Sequence, residues 1–410
     1  MSTSISHLLA RRVPPAAPAR AVSGPTPADM ISFAAASPDP TTFPTERMLE
    51  VLRSALEERP VRTLDYDISA GSAALRETIA ARLAARAGVA VSADQLTITQ
   101  GAAGAIEAAA AAVLDEGEVV FVEEFTYHTG LYSFRYRGAD VVVCPSDGEG
   151  LLVDELASLV ARARSDGRRP RMVYFAANFG NPSGITMSIP RREQLAALAQ
   201  REQLVLLQDD TYSQIRWVTP EPPPLTVWAP DHTIVVGSCS KVLAPGLRIG
   251  WSWSSPGFAE ALVAMRTDLG VSPLLQRTAE HLLAAPWFDE HLADVIALQH
   301  EKKERLRSAL APLSEHLASV SDPEGGIYLW VTLREGTVNE LLPHARSHGV
   351  MVLPQTHFSP FGLDGPGFRV GFGNVPMDVF DEGVHRLGLA LHDLRAARHG
   401  GTAAAVAGRG

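Results

Sequence analysis

The segment from Gly237 to Arg248, Gly-Ser-Cys-Ser-Lys-Val-Leu-Ala-Pro-Gly-Leu-Arg, combines an amine, two hydroxyls and a guanidinium. Lys241 stands just beyond an apolar run that is typical of a buried strand. Desolvation there lowers the pKa of a lysine and frees its amine as a nucleophile toward an aldehyde. Ser238, Ser240 and Arg248 could converge on a phosphate group, the arginine through forked, charged hydrogen bonds. Alone, the segment fits a surface lysine and arginine beside a turn equally well.

Polar side chains also follow two other apolar runs. Asp209 could keep the nitrogen of a pyridine ring protonated, which makes the ring an electron sink. Tyr212, three residues later, and Asn181, in the turn Asn178–Gly184, could both hydrogen-bond the phenolic oxygen of such a ring. The alternatives are an acid that caps the next element and a plain turn.

A helix rich in small residues is predicted to begin at Gly101, followed by Ala102 and Ala103. Its uncovered backbone N–H groups, at the positive end of the helix dipole, form a natural seat for phosphate. By itself such a helix start is weak evidence.

These residues stand at the ends of elements that alternate between strand and helix. The pattern predicts an α/β domain with a mostly parallel sheet, whose ligands bind at the carboxyl ends of the strands. The predicted strands are Glu118–Glu123, Ala139–Pro145, Arg171–Ala177, Leu204–Asp210 and His232–Ser238. The predicted helices between them are Gly101–Leu114, Val153–Ala163 and Arg191–Arg201.

The pattern changes after about Gln276. A helix, His291–Leu313, and shorter strands, Gly326–Leu333, Val350–Pro354 and Gly367–Gly373, predict a smaller α+β domain. We predict an N-terminal arm that belongs to the small domain, a large domain, a small C-terminal domain and a disordered tail, over residues 1–44, 45–275, 276–395 and 396–410. The arm is expected to hold a short helix at Ser4–Arg12. A transit peptide is the alternative.

Nine motifs in order carry a family resemblance: ISFAAASPDPTTFP, LDYDISAGSAALRE, TQGAAGAIE, VEEFTY, NFGNPSG, QDDTY, GSCSKVLAPGLRIGW, PEGGIYLWV and FRVGF. From Ile31 to Gly373 the chain resembles the pyridoxal-phosphate (PLP)-dependent aminotransferases of fold type I. The likeness is greatest to the aminoadipate and multi-substrate subgroup, which is related to the aminotransferase domains of MocR regulators. The resemblance implies the PLP-dependent transferase fold, a large domain with a mostly parallel mixed sheet plus a smaller α+β domain, and PLP as cofactor.

The resemblance also implies roles for the ring-binding residues. Lys241 looks like the Schiff-base lysine and the base that moves the proton between the substrate and the cofactor. Asp209 looks like the partner of the ring nitrogen, and Asn181 and Tyr212 like partners of the phenolic oxygen. Tyr127 matches the aromatic residue that stacks on the ring.

Other matched positions concern the phosphate and the substrate. Tyr66 resembles a tyrosine that reaches the phosphate of the neighbouring subunit, which implies a homodimer with shared active sites. Arg369 matches the arginine that clamps the substrate carboxylate, and Ala36 and Asn181 belong to the substrate pocket. The phosphate would be held by Gly101, Ala102, Ala103, Ser238, Ser240 and Arg248.

Departures from the family pattern leave the substrate open. Ala102-Ala103 replaces a common Ser-Gln, Gln208 stands where an acid is common, and Gln355 occupies a usual glycine position near His357. Asp65 and Asp67, beside Tyr66, could attract a cationic substrate side chain, although a solvated loop is the simpler interpretation.

The implied reaction moves an amino group from an L-amino acid to a 2-oxo acid. A rival within the same fold is a lyase, decarboxylase or oxidase, since fold does not fix function. A second rival is the sensing domain of a MocR-type regulator, which the short region before Ile31 disfavours.

The amino-acid composition limits which kinds of partner the protein is expected to bind. The formal net charge of −10 disfavours nucleic acid and anionic lipid, and no apolar run is long enough to span a membrane. The two cysteines form no CxxC pair, which indicates a reducing, cytoplasmic setting, and no metal-binding signature is present.

Overall fold

The structure is a computed structural model that describes residues 29–407, with the exception of Arg59 and Asp67. The chain divides into two compact units. The larger unit comprises Ser37–Glu301 and Asp322–Ile327. The smaller unit comprises the described residues up to Ala36, the segment Lys302–Ser321 and the chain from Tyr328 onward.

Strands and helices alternate over most of the chain. The strands are β1 Ile31–Ser32, β2 Leu96–Gln100, β3 Glu118–Glu123, β4 Asp140–Cys144, β5 Ser146–Asp147, β6 Gly150–Leu151, β7 Arg169–Ala176, β8 Val205–Asp209, β9 Thr233–Ser238, β10 Ile249–Trp253, β11 Leu317–Val320, β12 Tyr328–Leu333, β13 Val350–Met351, β14 Leu353–Pro354 and β15 Gly367–Gly371. The helices are α1 Thr45–Glu58, α2 Pro60–Leu64, α3 Ala73–Ala87, α4 Gly101–Val113, α5 His128–Tyr136, α6 Val153–Ser165, α7 Ile189–Glu202, α8 Pro256–Ala264, α9 Pro273–Ala284, α10 Trp287–Leu310, α11 Val338–Ser347 and α12 Phe380–Ala407.

The larger unit is built on a seven-stranded sheet in the order β2-β10-β9-β8-β7-β3-β4. β10 runs antiparallel to both of its neighbours, and the other adjacent pairs are parallel. The predicted α/β fold with a mostly parallel mixed sheet is therefore confirmed. The five predicted central strands are all present, and their ends differ from the prediction by at most two residues.

The central strands are mostly apolar because helices cover both faces of the sheet. On one face the alanines of α4 pack with Leu131 and Phe134 of α5 against Tyr174 and its neighbours. On the other face α6 and α7 cover residues such as Phe121 and Phe175. The small side chains of α4 let this helix lie close to the sheet, so its first turn reaches the strand ends.

This topology collects loops at one edge of the sheet. The carboxyl ends of the parallel strands share an edge, and the residue before an antiparallel strand lies there too. Gly250 in β10 pairs with Ser238 at the end of β9, and Ile249 pairs with Gln100 at the end of β2. The loop after β2 therefore meets the loop after β9. Arg248, which directly precedes β10, lies beside both.

The smaller unit contains an antiparallel sheet in the order β11-β12-β15-β14. The helices α11 and α12 belong to the same unit and pack on each other. β1 pairs in parallel with β13, with Ile31 opposite Val350. The part of the predicted N-terminal arm that contains β1 is thus in this unit, as expected from the sequence.

Some boundaries differ from those expected. The units separate between Glu301 and Lys302, inside α10, rather than near Gln276, and a continuous helix gives no turn signal there. The segment 37–44 belongs to the larger unit, not to the arm. The expected strand Val350–Pro354 is two short strands, because β13 pairs with β1 and β14 with β15.

The two ends of the chain were expected to be a helical arm and a disordered tail. α12 extends into the predicted tail as far as Ala407, through an alanine-rich, helix-favouring run, and disorder of the tail stays a prediction. The predicted helix Ser4–Arg12 and the rest of the arm before Asp29 lie outside the described residues. Among the helices of the described part of the chain, none is long and apolar enough to cross a membrane.

Candidate active site

Lys241 ends a single 3-10 turn, Cys239–Lys241, that directly follows β9. Cys239 and Ser240 are buried, whereas Lys241 is partly exposed. Its Nζ lies 5.1 Å from the centre of the Tyr212 ring, which the loop after β8 carries. The amine therefore stands at the edge of the sheet where the strand ends meet.

Lysine is scarce in this chain, which holds only Lys241, Lys302 and Lys303. Lys302 is 1% exposed, and its Nζ donates to the carbonyl oxygens of Gly373 and Val375, both at 2.9 Å. Lys303 forms an ion pair of 2.6 Å with the carboxylate that follows it. Both lie on α10, so Lys241 is the one lysine that follows a strand of the large sheet.

Asp209 is the last residue of β8 and has donors on both carboxylate oxygens. The Tyr174 hydroxyl donates to Oδ2 at 2.9 Å. The backbone N–H and the hydroxyl of Thr211 donate to Oδ1, at 3.1 Å and 2.6 Å. Burial raises the pKa of Asp209, and these donors oppose that rise. The arrangement holds a fixed carboxylate at the strand end.

A second partly buried acid, Glu123, ends β3 and was not anticipated as a site residue. It accepts a hydrogen bond from the backbone N–H of Ala176 at 3.0 Å. Burial raises the pKa of Glu123 to about 8, and the charge of Asp209 adds to the rise. Asp209 accepts three hydrogen bonds and Glu123 only one, which opposes the effect of burial without cancelling it. With a pKa of about 8, Glu123 is mainly protonated near neutrality. An acid at the end of an apolar run was the signal available in the sequence.

The start of α4 and the residues around β9 form a cradle. The backbone oxygen of Arg248 accepts a hydrogen bond from the Gly101 N–H at 3.0 Å, and its Nη2 donates to the Gln100 oxygen at 3.1 Å. Ser238 Oγ donates to Ser240 Oγ at 2.8 Å. A Cβ on Gly101, whose φ is +67°, would lie 2.6 Å from the Arg248 guanidinium. The left-handed backbone conformation at this position favours glycine.

Gly250 allows the same helix start to approach the sheet. A Cβ there would lie 2.3 Å from the Gly101 carbonyl carbon and 2.7 Å from the Ala102 nitrogen. The N–H groups of Ala102 and Ala103 belong to the first turn of α4, where no acceptor exists within the helix. Two hydroxyls, a guanidinium and these N–H groups together suit a phosphate dianion.

Tyr127 and Asn181 lie on loops that leave neighbouring strands. Tyr127 immediately precedes α5 and packs against the apolar layer that contains Tyr174. Its ring is 5.0 Å from that of His128. Asn181 lies in the turn after β7, where the Gly184 N–H donates to the Gly180 oxygen at 2.6 Å. Both loops start at the same edge as Lys241.

A buried polar network that the sequence did not suggest ties the loops after β7 and β8 together. Asn178 Nδ2 donates to Asp210 Oδ1 at 2.6 Å. Asn178 Oδ1 accepts from Arg192 at 2.9 Å and from Arg216 at 2.7 Å. Arg192 is fully buried, and burial lowers its pKa to about 10. In the sequence Asn178 indicated only a turn, because its partners come from distant segments.

Gln208, one of the departures from the family pattern, is directed away from the site. It is fully buried, and its Oε1 accepts from the Leu225 N–H at 3.1 Å. Successive strand residues point to opposite faces, so Gln208 and Asp209 serve different layers. Gln208 therefore contributes to the packing of the sheet and not to the site.

Arg369 and Ala36 belong to the smaller unit. Arg369 is 4% exposed on β15, and its Nη2 donates to the Ala34 oxygen at 2.7 Å. Its guanidinium lies 5.5 Å from the Tyr328 ring centre and 5.0 Å from that of Phe358. The structure therefore brings Arg369 together with the segment that contains Ala36.

Tyr66 is 83% exposed on the larger unit, in the loop after α2. Its backbone N–H donates to Asp65 Oδ1 at 2.8 Å, a bond within the loop itself. Asp67 lies outside the described residues. Within the larger unit Tyr66 is thus on the surface.

The residues at the sheet edge fit PLP. Glycine at positions 101 and 250 keeps open a cradle that a Cβ would fill, and hydroxyl and guanidinium groups surround it. Asp209 offers a partly buried carboxylate for a ring nitrogen, and Lys241 offers an amine for an aldehyde. In the described part of the chain no group of three His, Cys, Asp or Glu residues could hold a metal ion.

Comparisons with known proteins give a family match. The family model for aminotransferase class I and II matches residues 31–387. Aromatic-amino-acid aminotransferase 1 of Thermococcus litoralis is 29% identical over 363 residues, 88% of this chain and 87% of that protein. An uncharacterized HTH-type transcriptional regulator of Bacillus subtilis, YdfD, is 28% identical over 375 residues, 89% of this chain and 75% of the regulator.

Solved structures agree in fold. A multiple substrate aminotransferase from Thermococcus profundus has a TM-score of 0.88 and 26% identity, and the match covers 96% of this chain and all of that one. The α-aminoadipate aminotransferase LysN from Thermus thermophilus, complexed with N-(5'-phosphopyridoxyl)-L-leucine, has a TM-score of 0.83 and 29% identity. That match covers 90% of this chain and 94% of LysN.

Proposed function

Because the chain belongs to the class I and II aminotransferases and is a PLP-dependent transaminase, we propose that Lys241 holds its cofactor and moves its proton. Asp209 pairs with the ring nitrogen, Asn181 and Tyr212 with the phenolic oxygen, and Tyr127 stacks on the ring. The enzyme transfers an amino group between an amino acid and a 2-oxo acid.

One observation supports this assignment above all. The amine of Lys241, the acid of Asp209 and the cradle around Gly101 belong to loops that meet at one edge of the sheet. Asp209 ends β8 and pairs with Val236 in β9, whose next turn ends at Lys241. Gly101 follows β2, which lies two strands away beyond β10. Loops that leave adjacent strand ends reach a common ligand without any rearrangement of the sheet.

Each group has a separate chemical task. PLP, when bound, supplies an aldehyde for the amino group and a cationic ring that accepts electrons from the α-carbon. The N–H groups of Ala102 and Ala103, with the Ser238 and Ser240 hydroxyls and the Arg248 guanidinium, hold the phosphate. The carboxylate of Asp209 keeps the ring nitrogen protonated.

The scarcity of lysine makes the assignment of Lys241 sharply testable. Borohydride reduction of the purified yellow protein, followed by peptide mass mapping, should place the pyridoxyl group on Lys241. The variant Lys241→Ala should lose both the visible absorbance and turnover, whereas Lys303→Ala should keep both, because its ammonium is paired on α10. A pyridoxyl group on Lys302 or Lys303, or an active and yellow Lys241→Ala, would contradict the assignment.

A single-turnover experiment separates transamination from other PLP reactions. Addition of an amino acid alone should convert the bound cofactor to pyridoxamine phosphate and release one equivalent of 2-oxo acid. The names of the relatives suggest aromatic amino acids and 2-aminoadipate as the first donors to test. Carbon dioxide or ammonia as the stoichiometric product, without pyridoxamine phosphate, would favour a decarboxylase or a lyase.

Arg369 is the proposed clamp for the substrate carboxylate, with Ala36 as part of the pocket. Its guanidinium is fixed by Ala34 and by two aromatic rings, so it can bind a carboxylate with little loss of side-chain entropy. Arg369→Lys should raise KM for donor and acceptor while PLP binding is unchanged. Unchanged KM values for both substrates would exclude the role.

A homodimer with shared sites is also part of the proposal. Five exposed apolar side chains lie on α2, on the loop that follows α2 and on the neighbouring loop between α8 and α9: Val61, Leu64, Tyr66, Ile68 and Leu269. They are between 55% and 83% exposed, and a Cβ at Gly270 would lie 3.5 Å from the Ile68 oxygen. An exposed apolar surface of this kind favours association with a second copy.

Mixed subunits test whether Tyr66 serves the neighbouring site. Lys241→Ala and Tyr66→Phe homodimers should each be impaired, and unfolding and refolding them together should restore activity. In the mixed dimer one site combines an intact Lys241 with an intact Tyr66 from the other subunit. If Tyr66 acted within its own subunit, no site would regain both groups and mixing would restore nothing. A monomer in light scattering would exclude the dimer itself.

A further inference from the structure

The side chain of Tyr174 adds a function that the assigned residues do not cover. Tyr174 lies on β7, is 2% exposed, and donates its hydroxyl to Asp209 Oδ2 at 2.9 Å. We propose that Tyr174 is a positioning residue that keeps Asp209 ionised and aimed at the ring nitrogen of the cofactor. This inference rests on the role proposed above for Asp209.

The surroundings of Tyr174 fix the hydroxyl in place. The ring packs edge-on against Phe134 of α5, with 5.3 Å between ring centres. Gly130, in the first turn of α5, faces the phenol: a Cβ there would lie 2.8 Å from Cε1 and 3.3 Å from the hydroxyl oxygen. The lack of a side chain at position 130 thus makes the space in which the hydroxyl stands beside Asp209.

The electrostatic reason for such a residue lies in the burial of the acid. Burial raises the pKa of Asp209, and the two Thr211 bonds and the Tyr174 bond lower it. A proton shared between Asp209 and a ring nitrogen moves toward the acid when the acid becomes more basic. By withdrawing charge from Oδ2, the Tyr174 donor keeps that proton on the ring, where catalysis needs it.

Tyr174 itself remains a donor throughout the working range of pH. Burial raises the pKa of Tyr174 well above its ordinary value, and the charge of Asp209 adds to the rise. The titratable groups that act on this pair include Glu123 at the end of β3, Tyr127 before α5 and Asp210 after β8. None of these three supplies a positive charge, and the hydrogen bonds from Thr211 and Tyr174 oppose the effect of burial on Asp209.

Tyr174→Phe removes the hydroxyl and keeps the ring that fills the space beside Phe134. We expect PLP to bind the apoenzyme about tenfold more weakly, as measured by absorbance titration, because one hydrogen bond to a charge is lost. The rate of pyridoxamine phosphate formation should fall about tenfold, and the acid limb of its pH profile should move up by about one pH unit. Tyr136→Phe, which changes an exposed tyrosine at the end of α5, is the matched control and should behave as wild type.

A second perturbation reaches the same bond without touching Tyr174. Gly130→Ala should displace the phenol and reproduce the shift of the acid limb, and adding Tyr174→Phe to it should shift the limb no further, since both changes remove one bond. A uniform loss of rate with an unmoved acid limb in both variants would mean that Tyr174 only packs, and would overturn the inference. Asp209→Asn, measured in parallel, distinguishes the two proposals: wild-type PLP affinity and rate in that variant would refute the role of Asp209 itself.

Discussion

Replacing Glu123 by Gln tests whether a protonated carboxyl at the end of β3 makes folding stability depend on pH. Burial raises the pKa of Glu123 to about 8 from an ordinary 4.5. Between these values the folded state holds one more proton than the unfolded state. The contribution of Glu123 is therefore fully present below about pH 4.5 and is lost as pH rises through about 8. The full displacement corresponds to roughly 5 kcal/mol, and partial exposure of the residue reduces our expectation to about 2–3 kcal/mol.

Gln mimics the protonated acid, and its amide oxygen can still accept the hydrogen bond from the Ala176 N–H. Urea unfolding of the apoproteins between about pH 4.5 and 8.5 should therefore show little difference at the acid end. At the alkaline end Glu123→Gln should be more stable than wild type by about 2–3 kcal/mol. Glu124→Gln changes the exposed neighbour and should follow wild type at every pH. Parallel curves for wild type and Glu123→Gln would show that Glu123 is already ionised at neutral pH.

Two further predictions concern the cradle and the smaller unit. Gly250→Ala should weaken PLP binding by at least about tenfold, because its Cβ would lie 2.3 Å from the backbone of Gly101. Gly257→Ala is the control, since a Cβ at that position would have no heavy atom within 4 Å. Equal PLP affinities of the two variants would contradict the prediction. Lys302→Met should lower the free energy of unfolding by about 2–4 kcal/mol, because the carbonyl oxygens of Gly373 and Val375 lose their donor. A loss below about 0.5 kcal/mol in urea unfolding would show that these carbonyl oxygens find other donors.

The sequence was sufficient to predict the sheet and most of the candidate site. Apolar runs such as Leu204–Asp210 become buried parallel strands because helices cover both faces, and the polar residues that follow them must then share an edge. The position of Lys241, Asp209 and Arg248 at one edge of the sheet could therefore be predicted from the sequence. Tail and unit boundaries were less predictable, since an alanine-rich run or a continuous helix such as α10 carries no turn signal.

By itself the sequence determined the order of the chemical groups along the chain: which loops carry an amine, an acid or a phosphate seat, and hence the family. Only the tertiary structure decided which side chains support those groups. In the sequence, Tyr174 cannot be distinguished from the other apolar residues of β7, and Asn178 indicates only a turn. Their hydrogen bonds to Asp209 and Asp210 join residues that lie 35 and 32 positions apart in the chain. Sequence spacing reports neighbours along a strand or a helix, whereas these contacts arise from the register and face of strands brought together by folding.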